Sequence, residues 1–198
     1  MNWTLSDDFS LKTGYRYNPP DTPLRSLYNH SYMRQWSIGF LHKPDSGLSW
    51  GGHVLHNRLT DGNDRKAFNI WLDKSLWQTP RYKLSGILSV TGSENDPVPV
   101  SYFNPLSDRH YQLALRHHYR LKLSDHWDLD QSLNTSLGQY HQSGYSPELG
   151  WQLEYSQKWR WKDQLSFTVG AGHNKSIYDG EPEHGLSIFA SFELRFVQ

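Results

Sequence analysis

Apolar and polar residues alternate with a period of two along most of this chain, the pattern of strands whose two faces meet different surroundings. The stretch 185–197 shows it best. Leu186, Ile188, Ala190, Phe192, Leu194 and Phe196 fall on one face, Ser187, Ser191, Glu193 and Arg195 on the other, and Phe189 is the exception. Before it, Leu165, Phe167, Val169 and Ala171 oppose Ser166, Thr168, Gly170 and Gly172, and Leu149, Trp151, Leu153 and Tyr155 oppose Gly150, Gln152, Glu154 and Ser156. Tyr111, Leu113, Leu115, Tyr119, Leu121 and Leu123 likewise oppose Gln112, Ala114, Arg116, His118, Arg120 and Lys122. Alternation of this kind predicts about eleven strands, at roughly 1–5, 9–18, 32–43, 47–58, 66–77, 82–92, 109–123, 126–141, 148–161, 164–176 and 185–197. No long 3.6-residue pattern occurs, so the chain is expected to be all-β.

The connections alternate in length. Tight turns are expected at Ser6-Asp7-Asp8, Pro44-Asp45-Ser46, Gln78-Thr79-Pro80, Ser124-Asp125 and Lys162-Asp163, and longer polar loops at 19–31, 59–65, 93–108, 142–147 and 177–184. Short turns on one side and long loops on the other are how an outer-membrane meander is threaded through its bilayer. Many strands reach about ten residues, enough to cross hydrocarbon when tilted. Trp77, Tyr82, Trp127, Trp159 and Trp161 flank the short turns, as an interfacial aromatic girdle would.

Composition narrows the choice. The 198 residues carry 20 Lys plus Arg against 20 Asp plus Glu, so no basic surface for nucleic acid is expected. The 9 Trp, 12 Tyr and 8 Phe argue against disorder, and with 0 Cys there is no disulfide framework, thiolate metal site or Cys nucleophile. Two classes survive: a transmembrane β-barrel and a soluble β-domain. The opening residues Met1 to Asp8 lack the basic and apolar regions of a secretory signal. At the other end, Phe196 stands third from the last residue, near where outer-membrane barrels carry a terminal aromatic.

Several short words recur in a fixed order: Thr22-Pro23-Leu24-Arg25, Thr60-Asp61-Gly62-Asn63-Asp64-Arg65, Tyr102-Phe103-Asn104-Pro105, Gly144-Tyr145, Tyr178-Asp179-Gly180 and Gly185-Leu186-Ser187. In this order and spacing the chain resembles the C-terminal barrel of the PgaA/HmsH family. The resemblance implies an antiparallel up-and-down transmembrane β-barrel of the bacterial outer membrane, with residues 1–198 forming a single domain. It implies a non-enzymatic porin that exports the biofilm polysaccharide poly-β-1,6-N-acetyl-D-glucosamine. The family joins a periplasmic tetratricopeptide-repeat region to a sixteen-stranded barrel. About eleven strands would then be an incomplete set, the repeats, first strands and signal peptide lying outside it. Outer-membrane lipid, the exported polysaccharide, a periplasmic deacetylase and the barrel-assembly machinery are the implied partners.

Candidate binding residues follow from the polar faces. Asp73, Asp128, Asp130, Glu154 and Glu193 sit there with Lys12, Arg16, Arg116, Arg120, Lys122 and Arg195. Rings of charge set which solute enters a pore. The family's polymer is partly de-N-acetylated, so acids on the wall would attract its ammonium groups, or else pair with neighbouring bases. Tyr102, Phe103, Tyr145 and Tyr178 are placed either to stack on sugar rings at the mouth or to fasten the loops. His53 and His56, and likewise His117 and His118, fall on opposite strand faces and cannot chelate together, and no cofactor or metal is expected. No catalytic residue is assigned either. Ser, His and acids are plentiful, yet no motif singles out the triad that a barrel hydrolase or acyltransferase would need. That class and a soluble carbohydrate-binding β-domain stand as alternatives, the latter requiring a polar exterior.

Overall fold

The computed structural model describes residues 1–20, 22–44, 47–162 and 164–195. Asp45 and Ser46, Asp163 and the near-terminal Phe196, on which some of the expectations above fall, lie outside the described residues. One antiparallel sheet contains 11 strands in the order of the sequence, β1 to β11, with β1 and β11 at its two edges. The strands are β1 (Asn2–Ser6), β2 (Phe9–Tyr17), β3 (Met33–His42), β4 (Leu48–Leu59), β5 (Asp64–Gln78), β6 (Tyr82–Asn95), β7 (Ser107–Lys122), β8 (Trp127–Gln142), β9 (Glu148–Trp161), β10 (Leu165–Tyr178) and β11 (Glu181–Leu194). All eleven predicted strands are present, most of them within three residues of the expected bounds.

Two expectations change. The loop 18–32 contains a short helix, α1 (Leu24–Tyr28), begun by Pro23 just outside it and by the Ser26 hydroxyl, which donates to the Pro23 carbonyl at 2.7 Å. No periodic signal betrays a helix of five residues. The expected loop 177–184 is instead a hairpin turn of two residues, Asp179 and Gly180, with φ of +49° and +76°. Positive φ at both central positions is the type I′ requirement that Asp-Gly satisfies, and its twist matches that of the flanking strands. Pro182 can then stand within β11 because an edge strand leaves one row of N–H groups unneeded.

The chain forms two compact units. The first, Met1–Leu72 with Ser89–Tyr111 and Tyr140–Glu148, contains β1 to β4, α1 and the loop-side ends of β5 to β9. Its register places Tyr15 beside Trp36, Trp36 beside His56 and Ile38 beside Val54 on one face, and Gln35 beside Asn57 on the other. The second unit contains Asp73–Leu88, Gln112–Gln139 and the chain from Leu149 onward, hence the turn-side ends of β5 to β9 with β10 and β11. There Trp159 pairs with Phe167 and Phe167 with Phe192, an apolar ladder, while Ser166 pairs with Glu193 and Arg160 on the polar side.

Burial runs opposite to that of a water-soluble domain. Among the described residues the buried hydrophobic side chains are Met33, Leu59 and Leu129, whereas Ile188 is 82% and Leu186 77% exposed. Apolar surface on that scale must be covered by something other than water. This removes the polar exterior that a soluble carbohydrate-binding domain requires. Phe189, the exception in the alternation, turns to the polar face and lies over Gly170, its cross-strand partner.

Candidate functional site

The polar face of the second unit is built by strict alternation, so each side chain on it is placed by an apolar neighbour one residue away. Leu129 and Gln131 flank Asp130, whose side chain is only 10% exposed. From the adjacent β7, Arg120 donates through Nε to Asp130 Oδ1 at 2.9 Å. From β9 on the other side, Arg160 Nη2 lies 2.8 Å from Asp130 Oδ2, while His118 Nε2, on β7 with Arg120, stands 3.7 Å from the same carboxylate. One acid thus ties three strands. Asp73 pairs with Arg116 at 3.7 Å, and Glu193 with Arg195 at 2.8 Å and Lys158 at 4.0 Å. Asp128 shares the face two residues from Asp130, and Glu154 accepts from Asn134 Nδ2 at 3.3 Å.

Asp73, Arg116, Arg120, Asp128, Asp130, Glu154 and Glu193 therefore share the polar face of this unit, and the structure brings Arg120 to Asp130 and Arg116 to Asp73. Arg160 was missed as a site residue, although Trp159 and Trp161 on either side already place it on that face. Also missed was a concave stretch in which the polar groups of Gln112, Asn134, Ser136 and Gln152 stand among apolar Ile87 and Ala114. Gln112 Nε2 donates to the Ser136 hydroxyl at 2.8 Å, and the buried Asn134 Oδ1 has no hydrogen-bond partner among the described residues. Carbohydrate hydroxyls both donate and accept, and such a lining offers them both roles.

In the first unit the long loops are fastened to one another. Asn63 Nδ2 donates to Asn104 Oδ1 at 2.7 Å and to the Tyr102 hydroxyl at 3.2 Å. That hydroxyl in turn donates to Asp61 Oδ2 at 3.1 Å, and Asn29 reaches Ser101 at 2.7 Å. Tyr102 thereby joins loop 96–106 to the turn 60–63. Tyr145, in the turn 143–147, is 49% exposed, and Tyr178 of the second unit ends β10 at 39%. Burial, with Asp61 alongside, pushes the Tyr102 hydroxyl up to about 12 from its ordinary 10.0. A raised value means that the protonated hydroxyl is the form the fold holds. Its contribution is complete below pH 10 and is lost as pH rises toward about 12. Tyr102→Phe is expected to speed hydrogen exchange in loop 96–106 by about fivefold at neutral pH, with the difference from wild type vanishing above the Tyr102 titration.

Comparison with known proteins agrees with this architecture. The family profile for the PgaA membrane beta barrel domain matches residues 1–196. Among solved structures, a bacterial polysaccharide outer membrane secretin superposes with a TM-score of 0.91 at 19% identity, covering 99% of this chain and 68% of that one. The beta domain of the Bordetella autotransporter Brka superposes at 0.59 with 12% identity, over 98% of this chain and 86% of that one. At such identities the two superpositions speak to the fold. No curated protein matched. With the family profile spanning nearly its whole length, an all-antiparallel meander and an apolar face exposed along its strands, the chain belongs to the PgaA membrane β-barrel domain family.

Proposed function

We propose that this chain is part of the wall of an outer-membrane porin through which a secreted polysaccharide passes, poly-β-1,6-N-acetyl-D-glucosamine being the cargo the family suggests. The carrying observation is the polar face of the second unit, where charge is largely neutralised in place and amides and hydroxyls are left to face the solute. A wall of that kind holds a sugar polymer through many weak, exchangeable hydrogen bonds, which permits sliding. The role is passive: the wall binds and guides, and the polymer's synthesis on the far side of the cell envelope drives the movement. Asp73, Asp130 and Glu193 each lie against an arginine, so attraction of ammonium groups falls mainly to Asp128 and Glu154, which make no ion pair among the described residues. Tyr145 and Tyr178 serve as stacking surfaces at the mouth, and Tyr102 as a loop fastener.

The open edges of β1 and β11 bear on how the wall closes. Unpaired N–H and C=O groups are not tolerated in hydrocarbon, so both edges pair with further strands in the assembled pore. The test uses the protein that carries this chain, in cells lacking the wild-type copy. Asn134→Leu with Gln152→Leu is expected to cut lectin-detected surface polysaccharide about fivefold or more while the heat-modifiable folded band persists, since the amides at two neighbouring wall positions are lost to the solute. Undiminished surface polymer with the barrel folded would refute the amide-lined wall as the cargo path.

A further inference from the structure

On the loop side of the first unit the apolar face ends in a basic rim. Arg34 is the second residue of β3, Arg58 the next to last of β4 and Lys66 the third of β5. Arg34 and Arg58 are direct cross-strand partners, and both are exposed. Like charges placed opposite one another disfavour the pairing unless an anion lies between them. Asp64 compensates only in part: it stands 3.5 Å from Arg58 Nε and is shared with His56 at 2.5 Å. Arg34 and Lys66 have no ion pair among the described residues. Glu94, near the end of β6, and Asp96, whose backbone N–H donates to the Asp64 carbonyl at 3.2 Å, are further acids at this end of the sheet.

Flat rings lie beside the arginines on the same face. Tyr17 is the cross-strand partner of Arg34 and stacks on Tyr32 at 5.9 Å. Trp36 packs against Tyr15 at 5.4 Å and His56 at 5.6 Å. A charge on the lipid-facing side is costly at mid-bilayer and nearly free at the interface, where these residues stand, and anionic headgroups there attract each basic side chain. Arginine grips phosphate oxygens in a bidentate fork, and an aromatic face takes the apolar side of a sugar ring. Long loops mark the outer side of such barrels.

We propose that Arg34 and Arg58, with the rings of Tyr17 and Trp36 beside them, hold the phosphorylated sugar headgroup of an outer-leaflet glycolipid against the outside of the sheet. This rests on the outer-membrane placement above and not on the cargo. The protein carrying this chain, purified from its own membrane and delipidated, is titrated under native mass spectrometry with diphosphoryl lipid A, dephosphorylated lipid A and inorganic phosphate. Diphosphoryl lipid A is expected to bind, the dephosphorylated lipid about tenfold more weakly, and inorganic phosphate at equal concentration to displace neither. Arg34→Gln with Arg58→Gln is expected to lose about tenfold in affinity while polysaccharide export continues. Should the double variant not fold, Arg34→Gln, which breaks no ion pair among the described residues, carries the test with an expected loss of about threefold. Wild-type affinity in the folded variant, or displacement by inorganic phosphate, would overturn the site. Undiminished export in the Asn134→Leu with Gln152→Leu variant, with diphosphoryl lipid A still bound, would instead count against the cargo reading alone.

Discussion

Asp130→Asn is expected to lower resistance to unfolding by about 1–3 kcal/mol, a large effect for a single change on the polar wall. The carboxylate is nearly buried and receives Arg120 from one neighbouring strand and Arg160 from the other, at 2.9 and 2.8 Å. Removing its charge leaves two guanidinium groups facing one another across β8 with no anion between them. Loss of one partner from a fully buried pair costs about 3–5 kcal/mol. The arginines here are 54% and 30% exposed, so water screens part of the repulsion and the cost falls below that range. The temperature at which the heat-modifiable band disappears measures the effect. Pairing the change with Arg160→Gln is expected to recover about 1 kcal/mol, because the second substitution removes half of the stranded charge. If Asp130→Asn melts with wild type, the three-strand tie contributes nothing beyond what solvated wall charges would.

Gly170→Ala is the second change with a large expected effect, about 1–3 kcal/mol. A Cβ built on Gly170 collides with the Phe189 ring, which lies flat over the glycine on the polar face. The ring must swing away from its cross-strand partner, exposing apolar surface to the solute path. Phe189→Ala alone loses the ring's cover of β10, and the two changes together are expected to cost less than their sum, since the collision has gone. Thermal melts of the two single variants and the double variant give the coupling directly. Additive costs would show that ring and glycine are not in contact.

Much of this fold was legible because a period of two assigns every residue to a face once any one is placed. Asp130, Arg120 and Arg116 could be put on the polar side from Leu129, Leu121 and Leu115 alone. What alternation cannot give is who meets whom across strands. Arg160 stood on the correct face unremarked, because its value lies in the register that sets it against Asp130. Phe189 broke the pattern for the same reason: the space that admits it is the missing side chain of Gly170 on the next strand. The hairpin at Asp179-Gly180 was masked by Glu181, Pro182, Glu183 and His184, which look like loop and are strand only because an edge position tolerates them. The amides of the candidate site carry no motif at all, since a surface that must let a polymer slide has no need of a fixed constellation.

The strictly sequential order of the strands bears on how such walls change over generations. Every strand pairs with its neighbours in the chain, so no connection crosses another. A hairpin duplicated or deleted at any turn would leave all other pairings unaltered, and girth in a closed barrel follows strand number. Calibre can therefore be inherited in increments of one hairpin, without redesign of the remaining staves.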